Sequence, residues 1–67
     1  MYINLPTAMI RRAYARIRGE VLGVYVSVKR LSSGDYVITE GVWQNRGKPS
    51  YYFVSKREWE DAVKAIA

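Results

Sequence analysis

The sequence predicts an α+β domain: a small curved antiparallel sheet of three or four strands, with an N-terminal helix before it and a C-terminal amphipathic helix after it. Three observations lead there. Apolar residues recur at helical spacing in 6–18 and again in 55–67, and at a period of two in the stretch between. Turn-forming clusters, Ser32-Ser33-Gly34-Asp35 and Asn45-Arg46-Gly47-Lys48-Pro49, divide that middle stretch into strand-length pieces. Finally, a chain of 67 residues buries only about 60% of the surface its unfolded form exposes, so residues 1–67 are read as one domain around one thin core.

In the first helix, 6–18, Ile10, Ala13, Tyr14 and Ile17 fall at i, i+3, i+4 and i+7 and form an apolar stripe. Asn4 or Thr7 offers a cap, Pro6 suits a first turn where its missing N–H is not needed, and Gly19 is a natural stop. The remaining surface carries Arg11, Arg12, Arg16 and Arg18. Two readings of that surface stand: a solvated polar face, or a face that contacts phosphates through Arg11 and Arg12.

The sheet, 21–54, begins with a strand over 21–31 in which Val24, Val26 and Val28 alternate with Tyr25, Ser27 and Lys29. Gly34 can supply a positive φ in the turn that follows, and residues 36–44 return as the second strand of a hairpin. Gly41 inside that strand points to a bulge or a close approach to the backbone. The loop 45–49 displays Arg46 and Lys48, and 50–54 is a third strand of aromatic and branched residues. Setting Tyr52 and Val54 inward places Tyr51 and Phe53 outward, because successive side chains alternate. On the second strand, Ile38 inward gives Thr39 outward and, a bulge permitting, Trp43.

Ser55 and Glu58 have the spacing of a capping box at the start of the last helix, 55–67. Trp59, Ala62, Val63 and Ile66 repeat the helical stripe, which assigns Trp59, Val63 and Ile66 to core or dimer packing.

With no Cys and no His, the chain has no disulfide framework, no Cys/His zinc site, no thiol nucleophile and no histidine-based triad. Its acid cluster, Glu58, Glu60 and Asp61, lies in the first turns of the last helix, where negative charge already stabilises the helix N-terminus. The five glycines are scattered singly, so no Gly-rich phosphate loop is present. The expectation is a protein that is not an enzyme and uses no metal or cofactor. The longest nearly apolar stretch, 21–28, is far short of the roughly 18 residues of a membrane span, and 1–5 lacks the charged start of a signal peptide. An intracellular protein without a membrane partner is expected.

A net charge of +5, from 11 Lys and Arg against 6 Asp and Glu, favours an anionic partner. An exposed sheet face with Tyr25, Lys29, Trp43, Tyr51 and Phe53, flanked by Arg46 and Lys48, is suited to nucleic acid, because bases stack on rings while cations follow phosphates. Packing also accounts for aromatics: with nine in so small a chain, each of Tyr25, Trp43, Tyr51 and Phe53 reads either as a packed residue or as a stacking platform.

From Val24 to Ile66 the chain resembles the transcriptional positive-cofactor family, small domains that bind single-stranded DNA as homodimers. The residues that carry the resemblance are Tyr25-Val26-Ser27-Val28-Lys29, a second strand ending in Trp43, the loop Arg46-Gly47-Lys48-Pro49, and Phe53-Val54-Ser55 leading into Lys56-Arg57-Glu58-Trp59. The resemblance implies a curved sheet that holds unpaired strands on its open face, with Lys29, Trp43, Arg46 and Lys48 as contacts and the last helix serving core and dimer packing. That family has a further strand ahead of the first one here, where this chain has its Arg-rich helix and only 19–22 for additional β structure. The order helix, three strands, helix is also similar to the double-stranded-RNA-binding domain, and Ser55-Lys56-Arg57 fits that family's phosphate-contacting start of the second helix; Trp59 and Glu60 depart from it.

The expected function is therefore non-catalytic nucleic-acid binding, of single-stranded DNA on the aromatic and basic sheet face, in transcription or DNA maintenance, by a homodimer. The alternatives are a double-stranded-RNA binder and a small basic protein that docks on an acidic protein surface.

Overall fold

A computed structural model describes residues 2, 4–21, 23, 25–41 and 49–67 of the chain. The element order is α1 (Thr7–Arg18), β1 (Tyr25–Arg30), β2 (Tyr36–Gly41), β3 (Ser50–Val54) and α2 (Lys56–Ile66), the α+β arrangement that the sequence predicts.

α1 starts one residue later than expected, and neither Asn4 nor Thr7 caps it. Pro6 is the N-cap, at φ −56° and ψ 146°, with no side-chain cap bond, and its carbonyl accepts from the N–H groups of Met9 and Ile10 at 2.9 and 3.1 Å. The proline ring fixes the φ at which the chain enters the helix, and Thr7 is already inside the first turn. At the other end Gly19 takes φ 95° and donates its N–H to Ala15 at 2.6 Å, a stop that suits glycine.

α2 has the expected cap: the Glu58 N–H donates to Ser55 Oγ at 3.1 Å. A second free donor of its first turn, the Lys56 N–H, is satisfied by Asp35 Oδ1 at 3.0 Å, which ties the β1–β2 turn to the helix start. Ser55→Ala should therefore cost about 1 kcal/mol, seen as a fall of about 4–8 °C in Tm for a domain this size. An unchanged thermal melt followed by circular dichroism would mean that Asp35 alone suffices.

The three strands form an antiparallel sheet in the order β1-β2-β3, with Val28 opposite Ile38 and Ile38 opposite Tyr52 at its centre. Gly34 closes the hairpin at φ 98°, within a turn where Leu31 N–H donates to the Asp35 carbonyl at 2.8 Å. β1 begins at Tyr25 rather than at Val21. The reason is that Gly23 bonds to side chains instead of to a neighbouring strand: its N–H donates to the Glu40 carboxylate and its carbonyl accepts from Arg11. The ladder between β1 and β2 runs unbroken to Tyr25 opposite Gly41, so the glycine marks a close approach and not a bulge. No fourth strand is present among the described residues. The expected continuation of β2 to Gln44 lies outside them.

Alternation sends Val26, Tyr36, Ile38 and Val54 to one face, where they pack with Ile10, Ala13 and Tyr14 of α1 and Trp59, Ala62 and Val63 of α2. Both helices thus cover the same side of the sheet. Among the described residues Trp59, Tyr14 and Ile38 are the largest fully buried side chains, and the Trp59 indole N–H donates to the Tyr2 carbonyl at 2.8 Å, pinning the start of the chain across the core. Trp59 and Val63 belong to the core of their own chain, and Ile66, half-buried, packs against it.

Candidate nucleic-acid interface

The ladder that turns Ile38 toward the helices turns its neighbours the other way. On that second face Ser27, Thr39 and Tyr51 lie in one cross-strand row, Lys29, Val37 and Phe53 in the next, and Tyr25 lies opposite Gly41 at the end. No described helix covers it. Tyr25, Tyr51 and Phe53 are 49%, 61% and 68% exposed, the large hydrophobic residues left most open to solvent among those described, and Ser27 and Lys29 are exposed beside them. Val37, flanked by Lys29 and Phe53 at its own level, and Gly41 at the end are the buried members of this face.

The absence of a side chain at position 41 shapes one end of the face. A Cβ on Gly41 would run into the Tyr25 ring, so that ring lies across the glycine backbone. Tyr51 and Phe53 stand two residues apart on one strand, about 6.8 Å by strand rise.

On the helix side, a polar knot fills the remaining space of the core. Glu40, 7% exposed, has the same strand parity as Tyr36 and Ile38 and so points inward. It accepts from the Tyr14 hydroxyl at 3.1 Å and from the Gly23 N–H, while Arg18 Nη1 donates to the Tyr14 oxygen at 2.9 Å. The Arg18 guanidinium also lies 4.9 Å from the centroid of the Tyr52 ring, within cation–π range. Burial pushes the Tyr14 hydroxyl above its usual pKa; the Arg18 bond opposes this and the Glu40 bond adds to it. The Arg18 guanidinium is in turn held more firmly protonated by Tyr14.

Tyr36 is raised as well, by burial first and then by the nearby Glu60 carboxylate, to which its hydroxyl donates at 3.4 Å. In both tyrosines the folded chain favours the neutral phenol, so their contribution to stability is full below about pH 10, the unfolded value, and is lost as pH rises through the higher folded values. Denaturant midpoints should fall between pH 9 and pH 11.5, and Tyr36→Phe should lessen that fall; a midpoint that rises over this range would contradict the assignment.

The structure brings together four of the residues nominated from sequence, Tyr25, Lys29, Tyr51 and Phe53, on one exposed face. Trp43, Arg46 and Lys48 lie outside the described residues. Arg11 and Arg12 belong to the opposite layer. Arg11 is half-buried and its Nη1 donates to the Gly23 carbonyl at 3.0 Å, whereas Arg12 is exposed on the outer side of α1. Glu40 and Arg18 were not singled out by the sequence reading, although the parity of Tyr36, Ile38 and Glu40 carries the signal that a carboxylate points into the core.

In the acid cluster, Asp61 pairs with Arg57 at 3.8 Å on the surface and Glu60 faces Tyr36. Among the described residues no group of three acidic, His or Cys side chains could hold a metal ion, and no helix is long and apolar enough to cross a membrane. Comparison of the chain with protein-family models, with curated proteins and with solved structures finds no match.

Proposed function

We propose that this chain is a non-catalytic nucleic-acid-binding protein that holds an unpaired strand across the open face of its sheet. The supporting observation is the exposure of Tyr25, Tyr51 and Phe53 on the face that the helices leave free, with Lys29 among them. A 67-residue domain has little apolar surface to spare, and three large rings left in water lower no core energy where they stand. A base laid on such a ring contributes about 1–3 kcal/mol whatever its identity. Lys29 supplies a cation that would follow the phosphates, and Trp43, Arg46 and Lys48, outside the described residues, are the further contacts that the positive-cofactor resemblance implies. Single-stranded DNA, in transcription or DNA maintenance, is the ligand that the positive-cofactor resemblance implies.

Titration of a labelled oligonucleotide followed by anisotropy, with unlabelled single-stranded DNA, duplex DNA and duplex RNA as competitors, tests this. The single strand should compete best, and raising the salt should weaken binding, because each neutralised phosphate releases counterions. A second reading has one specific observation in its favour: two helices on one face of a three-stranded sheet, with Ser55, Lys56 and Arg57 exposed at the start of α2, suit contact with the phosphates of duplex RNA. Duplex RNA as the best competitor would select it, and failure of all three to bind would leave the basic surface to an acidic protein partner.

A further inference from the structure

Gly41 is a glycine that its own backbone does not require. It is the last residue of β2, in an unbroken ladder opposite Tyr25, and only Gly19 and Gly34 among the described glycines hold a positive φ. A paired strand position is a poor place for glycine, which has no side chain to pack and loses the most conformational freedom on folding. What position 41 excludes is a side chain: a Cβ there would fall on Cε2 and Cζ of Tyr25, the outer end of the ring. The ring therefore takes the volume that a side chain at 41 would fill, and reaches from the β1 edge inward over β2. Tyr25 is nevertheless 49% exposed, while Gly41 is buried.

We propose that Gly41 is a positioning residue of the nucleic-acid face: with no side chain of its own, it lets the Tyr25 ring lie down on the sheet and offer one side to an unpaired base. The role rests on the functional reading above, and adds to it the residue that decides whether Tyr25 takes part. Strand side chains ordinarily stand roughly perpendicular to the sheet, so a ring laid across its cross-strand neighbour needs a neighbour without a side chain. Of the three exposed rings, Tyr51 lies opposite Thr39 and Phe53 opposite Val37, and Tyr25 alone has a glycine there. A ring already held over Gly41 gives up less freedom when a base stacks on it than one that must first be ordered. A ring that covers a glycine also stabilises a sheet by packing, so binding and stability are measured on the same variants.

Anisotropy with a labelled single-stranded oligonucleotide, together with thermal melts, compares the wild type with Gly41→Ala, Tyr25→Ala and the double variant. Because the clash falls on the free end of a side chain, Gly41→Ala should swing the ring outward and melt close to the wild type. Its affinity should fall as far as that of Tyr25→Ala, by roughly five-fold to 140-fold, the worth of one stacked base. The double variant should bind no more weakly than Tyr25→Ala, since the added methyl acts only through the ring. Tyr25→Phe, which keeps the ring, should bind like the wild type. Without ligand, the Gly41 Hα resonances should lie upfield of their usual range and return to it in Tyr25→Ala. Unshifted Gly41 resonances in the wild type, or wild-type affinity in Gly41→Ala, would overturn the positioning role, and the stacking of Tyr25 itself would stand or fall with Tyr25→Ala. Losses that multiply in the double variant, or a Gly41→Ala chain that no longer folds, would also overturn it and assign the glycine to the backbone or to the stability of the sheet. A wild-type chain that shows the shifted Gly41 resonances yet binds no single strand would overturn the functional reading, and the positioning role with it.

Discussion

Replacing Tyr51 and Phe53 together by alanine should leave a folded chain that has lost most of its affinity for a single strand. Each ring is 61% or 68% exposed and takes no part in the buried core, so the loss of fold stability should be small, within about 0.5 kcal/mol for each exposed site. Each stacked base is worth about 1–3 kcal/mol, so the double change removes roughly 2–6 kcal/mol of binding free energy. That is roughly a thirty-fold rise in Kd at the lower bound and roughly a twenty-thousand-fold rise at the upper one, at about 1.4 kcal/mol per factor of ten. Anisotropy at fixed salt reads the change, and a thermal melt of the same variant shows whether the fold survives. A folded double variant with wild-type affinity would remove the rings from the interface.

Trp59→Ala should unfold the chain. The indole is fully buried, lies 6.2 Å from the Tyr36 ring and holds Tyr2 through its N–H, so the change leaves a cavity and a freed N-terminal segment. Truncating a buried tryptophan costs about 3–5 kcal/mol, and a domain of this length has roughly 3–10 kcal/mol in all at 0.05–0.15 kcal/mol per residue. Circular dichroism at room temperature should show a largely unfolded population, and Trp59→Phe, which keeps most of the ring but loses the bond to Tyr2, should fall between. A cooperative melt near that of the wild type would mean that the core does not depend on α2. The contrast with Phe53 is informative: two aromatics six residues apart have opposite fates because one lies on a helical stripe and the other on the outward parity of a strand.

That contrast was legible in the sequence. The stripes Ile10-Ala13-Tyr14-Ile17 and Trp59-Ala62-Val63-Ile66, and the alternations Val26/Ser27 and Tyr52/Phe53, are local patterns that assign each residue to a face without knowledge of what covers it. The capping of α2 by Ser55 and the positive φ of Gly34 were readable for the same reason. Long-range polar bonds were not. Glu40 meets Tyr14 and Gly23, 26 and 17 residues away in the chain, and no local period links them. The same bonds explain why the strand expected from Val21 starts at Tyr25. Arg11 was grouped with the outer arginines, yet at i, i+3 and i+7 it shares a flank of α1 with Tyr14 and Arg18, beside the buried stripe, and there it meets Gly23. Arg12, one position further round, remains exposed.

The central claim concerns one face of one sheet, so the most direct measurement is residue-resolved. A uniformly labelled sample titrated with a short single-stranded oligonucleotide, followed by backbone and side-chain chemical shifts, reports which residues sense the ligand. The account predicts that the largest changes fall on Tyr25, Ser27, Lys29, Thr39, Tyr51 and Phe53, while Trp59, Val63 and the outer face of α1 at Arg12 and Arg16 stay still. Changes centred on Arg12, Arg16, Lys56 and Arg57, with the sheet face unmoved, would contradict it.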